Sequence, residues 1–227
     1  MGKISTHTII VSDLHLGSKI CRAKAIKKML ESYSYKKLIL LGDIFDSLDF
    51  TDLARDHWEV LAYIGRQSSK VKIKWIQGNH DLGLIKIAAL LMGVKVYKKY
   101  KWKFDNKKFI AIHGHQFDRF LVKNAFLSFI ISYLYFFIQL LDLKNRRLTS
   151  IIKNKSKGWL RLSQKVADSA LIYARLYRCD YVFCGHTHYA MKKSKGKVTY
   201  YNSGCWTDIP SNFITIDKKN GIQIHNF

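Results

Sequence analysis

The sequence has few acidic residues and almost no proline, and each shortage excludes a class of protein. It holds 16 Asp and Glu against 39 Lys and Arg, which gives a formal net charge of +23. One proline and 13 glycines in 227 residues leave no long linker. Apolar residues make up 48% of the chain, which excludes a disordered protein and is enough for a packed core. We therefore expect a single domain that spans residues 1–227.

Paired cysteines and a long N-terminal apolar run are also missing. Cys21, Cys179, Cys184 and Cys205 form no C-x-x-C pair, and a chain of this size needs no disulfide staples. The first residues, MGKISTHTIIVSDLHLG, contain an apolar run too short for the h-region of a signal peptide. These features predict a reducing compartment and a cytoplasmic protein.

The excess positive charge is spread along the whole chain. A field of this sign attracts nucleic acid, nucleotide phosphates or an anionic membrane surface. A genome that uses lysine as its default surface residue would produce the same excess without any such partner. The charge by itself favours neither interpretation strongly.

Short apolar runs alternate with helical patterns in the first half of the chain. The predicted strands are residues 7–11, 37–41, 71–77, 108–112 and 180–184, and the predicted helices are residues 23–32, 51–67 and 82–92. Alternation of this kind predicts an α/β fold. Three later runs, residues 197–202, 213–217 and 222–227, have no helix between them. The turn DKKNG predicts that the last two form an antiparallel hairpin.

Each early strand is followed by Asp, Asn or His. The five segments are Asp13-x-His15, Gly42-Asp43-x-x-Asp46, Gly78-Asn79-His80-Asp81, His113-Gly114-His115 and Gly185-His186-x-His188. Sites in open α/β sheets form outside the carboxyl ends of the strands, so these residues converge. Any one of them alone could be a capping residue, but five in this order indicate a metal site. Mixed imidazole and oxygen ligands favour Mn, Fe, Zn or Co. There are enough ligands for two ions about 3.5–4 Å apart, an arrangement that clamps a phosphate and generates a hydroxide nucleophile.

This series of motifs resembles that of the calcineurin-like metallophosphoesterases, from Val11 to about Gly204. The resemblance implies a four-layer αββα sandwich and two divalent metal ions, both of which we expect to be manganese. It implies that one ion is held by Asp13, His15, Asp43 and His188. It implies that the other is held by Asp43, Asn79, His113 and His186, with Asp43 as the bridge.

The same resemblance implies a catalytic role for His80. Its imidazole would protonate the leaving group or steady the phosphate charge, and its pKa near neutrality suits either task. Asp46 and Asp81 are then expected to orient ligands or cap loops. His115 is a candidate substrate contact, with an orienting role as the alternative.

Six segments resemble one branch of this superfamily more closely: SDLHLGS, LLGDIFD, QGNHD, HGHQFDRF, CGHTH and YYNSGCW. They are similar to the UDP-2,3-diacylglucosamine diphosphatase group of lipid A biosynthesis. Those enzymes cut the pyrophosphate of a nucleotide-linked lipid into UMP and a lipid 1-phosphate. They are peripheral membrane proteins with a helical cap over the metals. The resemblance implies the same substrate, and a place at the inner face of the cytoplasmic membrane. The group usually carries Arg where this chain has His80, which indicates a sister branch.

Two other functions stay open. A nuclease or nucleotide phosphodiesterase of the same superfamily would suit the positive charge. A non-catalytic scaffold would have kept the fold and lost the metals, although every expected ligand position is filled here.

About seventy residues between His113 and Gly185 carry no strand pattern, which predicts a helical cap insertion at about 117–178. Its segment 125–141, AFLSFIISYLYFFIQLL, has no charge. A membrane span is disfavoured because ligands on both sides of the segment must reach one metal site. A buried helix and a cap helix that dips into a bilayer interface stay open, and the basic flanks favour the second.

A further helix is predicted to begin at Trp159 and to reach about Arg178. Its basic residues Arg161 and Lys165 are candidates for binding the substrate phosphates or the uridine end, with a solvated helix face as the alternative.

Overall fold

The computed structural model describes residues 2–47, 50, 53–81, 89, 92–118 and 157–227. The helices with described bounds are α1 (Ala23–Ser32), α2 (Arg55–Gln67) and α3 (Lys157–Leu176). The strands up to residue 111 are β1 (Ile4–Ser5), β2 (Thr8–Val11), β3 (Tyr33–Ser34), β4 (Lys37–Leu41), β5 (Lys72–Ile76), β6 (Val96–Tyr97), β7 (Tyr100–Phe104) and β8 (Lys107–Ala111). The later strands are β9 (Tyr181–Cys184), β10 (Met191–Lys195), β11 (Val198–Asn202), β12 (Asn212–Asp217) and β13 (Gly221–Asn226).

All eight predicted strands are confirmed, and so is the antiparallel hairpin, formed by β12 and β13. The sequence patterns do not predict β1 and β3, which form a two-stranded sheet, or β6, β7 and β10, which lie at edges of the large sheets. Lysines alternate with aromatic residues in YKWKF and make up three of the five residues of MKKSK, so neither segment shows an apolar run. Lysine is common on edge strands because it prevents pairing with further chains. The predicted helix at 82–92 lies almost wholly outside the described residues.

Two sheets carry the strand ends that matter. The six-stranded sheet has the order β13-β12-β2-β4-β5-β6, in which β2, β4, β5 and β6 run parallel. The five-stranded sheet has the order β10-β11-β9-β8-β7, in which β11, β9 and β8 run parallel. A third, two-stranded sheet joins β1 to β3. The parallel strands of each large sheet therefore end at a common edge.

Three hydrophobic cores separate four layers. The first lies between the pair α1 and α2 and the six-stranded sheet, the second between the two large sheets, and the third between the five-stranded sheet and α3. Strand β4 serves two of them, because Leu38 and Leu40 belong to the first core and Ile39 and Leu41 to the second. Strands buried on both faces read as continuous apolar runs, which is why they were predictable. The four-layer αββα sandwich is confirmed.

Helix α3 is the outermost layer on the five-stranded sheet. Its buried face is built from small residues, such as Ala167, Ala170 and Ala174, which let the helix approach the sheet closely. The helix predicted to start at Trp159 is thus part of the sandwich. Residues 119–156 lie outside the described residues, including segment 125–141, so the cap insertion of about 117–178 and the single-domain organisation stay predictions. None of the described helices combines the length and apolarity of a membrane crossing.

Candidate metal centre

The five predicted motifs meet at one edge of the two large sheets. Asp13 follows β2, Asp43 follows β4, His113 lies two residues beyond β8 and His186 lies two beyond β9. Backbone hydrogen bonds join neighbouring loops: the Asp13 N–H donates to Gly42 O at 3.0 Å and the Gly185 N–H to His113 O at 2.9 Å. The convergence predicted from the strand order is therefore present in the fold.

The first ligand group consists of Asp13, His15 and His188. One ligand atom from each lies within 4.8 Å of the others. His15 Nε2 is 3.1 Å from His188 Nε2, and His188 Nε2 is 3.2 Å from Asp13 Oδ1. These three residues belong to the set predicted for one ion. Two imidazole nitrogens and a carboxylate oxygen that face each other so closely match the coordination sphere of a divalent cation.

The second ligand group consists of Asp43, His113 and His186, again with ligand atoms within 4.8 Å. His113 Nε2 is 3.1 Å from Asp43 Oδ2. The other ring nitrogen, Nδ1, is 2.8 Å from Leu41 O and donates to it, because a carbonyl can only accept. In the neutral imidazole, this bond fixes the tautomer whose lone pair lies on Nε2, the atom that a metal ion would bind.

Asn79 lies between Gly78 and His80, and the backbones of both neighbours approach Asp43. The Asn79 Oδ1 is shielded from solvent and finds no hydrogen-bond donor among the described residues. A buried amide oxygen without a donor is rare in folded proteins and requires an explanation. A divalent ion in the second group would supply it. The donor set and this orphaned oxygen both fit the two metal ions that the motifs predict.

Two further carboxylates hold ligand histidines in orientation. Asp46 Oδ1 accepts from His15 Nδ1 at 2.9 Å, as the sequence analysis predicts for an orienting residue. Asp118 Oδ2 accepts from His186 Nε2 at 3.2 Å. A carboxylate that binds the far nitrogen of a metal-ligating imidazole fixes the ring and its tautomer.

Asp81 organises the loops instead of facing the ligand groups. Its buried carboxylate accepts backbone N–H groups from Ile44 and Phe45 through Oδ1 and from Gly78 through Oδ2, at 3.0 to 3.2 Å. It ties the loop after β4 to the loop after β5. Burial, with the nearby Asp43 carboxylate, raises the pKa of Asp81 to about 6.

Electrostatic attraction outweighs burial at the ligands. Burial opposes ionisation of Asp43, but His113 holds the pKa of Asp43 well below its usual range. In return, and against the effect of burial, Asp43 raises the pKa of His113 to about 9. Burial likewise opposes the charge of His188, and Asp13 nevertheless raises the pKa of His188 well above its ordinary value. The centre thus keeps its carboxylates ionised despite complete burial, as metal ligation requires.

The backbone is strained where the ligands lie. Five of the non-glycine residues with positive φ among those described are predicted ligands, with φ between 49° and 66°: Asp13, His15, Asp43, His186 and His188. Such conformations are uncommon outside glycine, and where they cluster they mark functional sites. These backbone conformations accompany the orientation of the five side chains towards the two ligand groups.

Two glycines leave room for the buried carboxylates. A Cβ on Gly78 would collide with the Asp43 carboxylate, and a Cβ on Gly185 would collide with that of Asp13. Both positions therefore exclude a side chain because the backbone approaches a buried carboxylate closely.

His80 lies exposed beside the first group. Its backbone N–H donates to Asp43 Oδ1 at 2.9 Å, and its Nδ1 donates to Asp46 O at 2.9 Å. Its ring stands edge-on to that of His15, 5.0 Å between centroids. His15, Asp46 and His80 also have ligand atoms within 4.8 Å of one another. Because Asp46 is already bonded to His15 Nδ1, we assign it an orienting role and leave His80 Nε2 free for the substrate.

The three tentative substrate contacts are placed differently. The ring of His115 lies 5.4 Å from that of His113, and burial together with His113 and His186 lowers the pKa of His115 to about 4. Arg161 and Lys165 are exposed on α3. No hydrogen bond or ion pair among the described residues links either of them to the ligand groups. All three stay predictions.

Sequence reasoning missed two supports of the centre. Asp118 was not singled out, although it is one of few acidic residues and lies five positions after His113. Trp159 Nε1 donates to Thr187 O at 2.9 Å and so ties the start of α3 to the loop of His186 and His188. Trp159 and Thr187 are 28 positions apart, so no local sequence pattern predicts their contact.

Comparisons with known proteins agree with this geometry. Residues 6–190 match the family described as calcineurin-like phosphoesterase. A comparison with curated proteins finds no match. Among solved structures, a novel archaeal phosphodiesterase is similar at 17% identity with a TM-score of 0.53, over 97% of this chain and 99% of its own. Yfce, a phosphoesterase from E. coli, is similar at 15% identity with a TM-score of 0.52, over 93% of this chain and 88% of its own.

Another of the similar structures carries a name that states no enzymatic activity. A single mutant of Vps29 from Entamoeba histolytica has 13% identity and a TM-score of 0.52, over 97% of each chain. Identities of this size establish a shared fold and nothing finer.

Proposed function

The chain belongs to the calcineurin-like phosphoesterase family and is a metal-dependent phosphoester hydrolase, and from this premise we propose that it cleaves the pyrophosphate of a nucleotide-linked lipid. The products would be UMP and a lipid 1-phosphate if the substrate is UDP-2,3-diacylglucosamine, as in lipid A biosynthesis. We place the reaction at the inner face of the cytoplasmic membrane, with manganese as the expected metal.

The observation that carries the reaction class is the pair of ligand groups at one edge of the sheets. Asp13, His15 and His188 form one group and Asp43, His113 and His186 the other. The buried Asn79 oxygen, which has no hydrogen-bond donor among the described residues, is the further ligand predicted for the second. A scaffold that had lost its metals would show gaps in this set, and each predicted position is filled.

The residues of the chain would divide the work of hydrolysis. When bound, two divalent ions stabilise charge on phosphate oxygens and lower the pKa of water. Asp13 and Asp43 place negative charge where those cations lie, and their burial strengthens the attraction by excluding water. The hydrogen bond from His113 to Leu41 O holds one imidazole ready, with no reorganisation during the reaction.

His80 would deliver the proton to the leaving oxygen. Its Nδ1–H is held by Asp46 O, so Nε2 is the atom that carries the transferable proton. The ring is exposed, which leaves it accessible to a substrate seated over the ligand groups. After it has donated this proton, the imidazole would take up another from solvent before the next turnover.

The finer substrate proposal is supported by sequence features. The six segments similar to the diphosphatase group include all five of the motifs that form the centre. Segment 125–141 combines strong apolarity with basic flanks, which suits the acyl chains of a lipid and an anionic membrane surface. Trp159 brings the start of α3 to the ligand loop, so Arg161 and Lys165 lie on a helix anchored at the site. The identity of the lipid rests on these features alone.

A second candidate, a nuclease or nucleotide phosphodiesterase, is favoured by one specific observation. Lys74 and Lys95 lie over the rings of Tyr97 and Tyr100, at 5.3 to 5.7 Å from the centroids. Lysines interleaved with aromatic rings are typical of surfaces that bind single-stranded nucleic acid.

A substrate panel distinguishes the candidates. Manganese-loaded protein is incubated separately with UDP-2,3-diacylglucosamine in mixed micelles, with bis(p-nitrophenyl) phosphate, and with single-stranded oligonucleotides at two salt concentrations. We expect release of UMP from the lipid, which Asp43→Ala abolishes. An intact lipid together with salt-sensitive cleavage of oligonucleotides would support the nuclease instead. Co-sedimentation with vesicles that contain anionic lipid tests the membrane placement, and binding to neutral vesicles serves as its control.

A further inference from the structure

Asp118 is a buried carboxylate outside every predicted ligand set. It follows a 3-10 turn at His115–Phe117, and its backbone N–H donates to His115 O at 3.1 Å. Only 2% of the residue is exposed. A carboxylate removed from water in this way requires a charged or hydrogen-bonded partner. Its Oδ2 lies 3.2 Å from His186 Nε2, which meets that need.

This contact determines which nitrogen of His186 is available. An ionised carboxylate can only accept, so Nε2 carries the proton and donates it. In the neutral imidazole the lone pair then lies on Nδ1. His186 belongs to the second ligand group with Asp43 and His113, whose ligand atoms lie within 4.8 Å of one another. Nδ1 is therefore the atom left for a metal ion.

The backbone of His186 is held by Asp13. Its backbone N–H donates to both carboxylate oxygens of Asp13, at 3.1 and 3.0 Å, and its φ is +66°. The backbone thus fixes where the residue starts, but it does not fix the rotation of the ring. Asp118 is the contact that does so.

The first ligand group contains a matching pair. Asp46 accepts from His15 Nδ1 at 2.9 Å, which leaves Nε2 of His15 as the ligand nitrogen. The two pairs use opposite ring nitrogens, and they differ in exposure. The side chain of Asp46 is 38% exposed and that of Asp118 only 3%. A hydrogen bond shielded from water is electrostatically stronger, so the Asp118 pair should be the more effective one.

We propose that Asp118 is a positioning residue for the metal ion of the second group, acting through His186. This role rests on the proposed two-metal hydrolase, since it has no purpose without the ions. Asp118 acts at a distance from the metal, because the second ligand group comprises Asp43, His113 and His186 and does not include it. Loss of an outer carboxylate of this kind weakens metal binding by roughly 10- to 100-fold.

The test measures metal binding in Asp118→Ala and Asp118→Asn of the full chain. Protein freed of metal by a chelator is titrated with Mn²⁺ by calorimetry, and the visible spectrum is recorded with Co²⁺. Asp118→Ala should weaken one of two binding events about 10- to 100-fold and alter the Co²⁺ spectrum. Asp118→Asn should recover part of the affinity, because its amide oxygen still accepts from His186 Nε2–H.

Asp180→Ala is the matched control. Its carboxylate also holds a neighbouring group, since Oδ2 accepts the Lys108 N–H at 2.7 Å, but it lies at the opposite end of the five-stranded sheet. It should leave both binding events unchanged. The melting temperature of each metal-free variant shows whether the fold is intact, and Asp118→Asn keeps the test available if Asp118→Ala unfolds.

Two negative results have different meanings. If the folded Asp118 variants bind both ions as tightly as wild type, with an unchanged Co²⁺ spectrum, the role of Asp118 is refuted and the hydrolase stands. If wild type itself binds fewer than two ions, the proposed two-metal function fails and this role fails with it.

Discussion

The two ends of β4 and β5 bury charges of opposite sign and compensate them to different extents. At the carboxyl ends, the buried Asp43 carboxylate faces His113 at 3.1 Å, and its pKa is held well below the usual range. At the amino ends, Lys37 is 8% exposed and lies beside Lys72 and Lys74. Burial and these two lysines lower the pKa of Lys37 to about 8.

The difference lies in the partners. The buried carboxylates of Asp13 and Asp43 each have an imidazole against them, whereas Lys37 rests on the rings of Tyr100 and Trp102. A ring face compensates a cation by about 0.5–2 kcal/mol, less than burial of the charge costs. The comparison indicates that the metal end is built to hold charge for chemistry. The amino end carries charge that is only partly compensated.

The largest effect is expected from removal of the bridging carboxylate at the metal end. Asp43→Ala should lower the hydrolysis of bis(p-nitrophenyl) phosphate by more than about 1,000-fold, the upper range for loss of a single preorganised electrostatic group. The reason is that both predicted metal sets include Asp43. Steady-state kinetics with manganese-loaded protein measures the loss.

Asp105→Asn provides the matched comparison for that variant. Asp105 forms only an exposed ion pair with Lys218, at 3.5 Å, and exposed pairs contribute little. Its activity and stability should equal those of wild type. Comparable losses in both variants would contradict a special role for Asp43.

A smaller loss is expected when the proton donor is removed while the metal end keeps its ligands. His80→Ala should lower kcat about 100-fold or more for a substrate with a poor leaving group. It should have much less effect with p-nitrophenolate as the leaving group, which needs no proton. Calorimetry should still detect two manganese ions per chain. An equal loss with both leaving groups would argue against proton donation by His80.

Substitution of Asn79 distinguishes a metal ligand from a structural residue at this position. Asn79→Ala should weaken manganese binding by at least about 10-fold, which is the smallest loss typical of residues that only orient a metal ligand. Without metal it should melt at the same temperature as wild type or higher, because a buried oxygen without a donor has been removed. Calorimetric titration and thermal melts, with and without chelator, measure the two effects. A metal-free protein that is clearly destabilised would assign the oxygen a structural partner instead.

The amino end should respond in the opposite direction, with the smallest effect. Lys37→Met should stabilise the protein at pH 7 by on the order of 1–3 kcal/mol, because it removes a buried cation and keeps a side chain of similar length. Lys36→Met, at the exposed neighbouring position, should change stability little.

The pH dependence of stability has a definite sign for Lys37. Its pKa of about 8 in the folded state lies below that of an unfolded lysine, so the unfolded state binds more protons between about pH 8 and pH 10.4. Wild type should therefore gain stability relative to Lys37→Met as the pH rises through this window. Denaturant melts at several pH values measure it, and parallel profiles for the two proteins would contradict the assignment.

Much of the fold could be predicted from the sequence because buried parallel strands are encoded locally. The runs at β2, β4 and β9 are almost wholly apolar, those at β5 and β8 keep an apolar end, and the predicted ligands follow each of the five. The edge strands β7 and β10 could not be predicted in the same way, since lysines interrupt the first and dominate the second, and no ligand motif follows either. That α3 is a layer of the sandwich follows from its packing against the five-stranded sheet, which has no local signature.

In the candidate site, too, the locally encoded residues could be predicted and the long-range contacts could not. The ligands were predictable from residue type and order, and Asp46 could be expected to orient one of them. The pairing of Asp118 with His186 joins residues 68 positions apart and depends on the turn at His115–Phe117. The meeting of Lys37 with Lys72 depends on the register between β4 and β5. Contacts of this kind require the tertiary structure.

Whether hydrolysis depends on two metal ions is tested most directly by a manganese titration of chelator-treated protein, in which hydrolysis of bis(p-nitrophenyl) phosphate is followed as ions are added. We expect no activity without metal and a rate that reaches its plateau at two ions per chain. Full activity in the metal-free protein, or a plateau at one ion, would contradict the two-metal hydrolase.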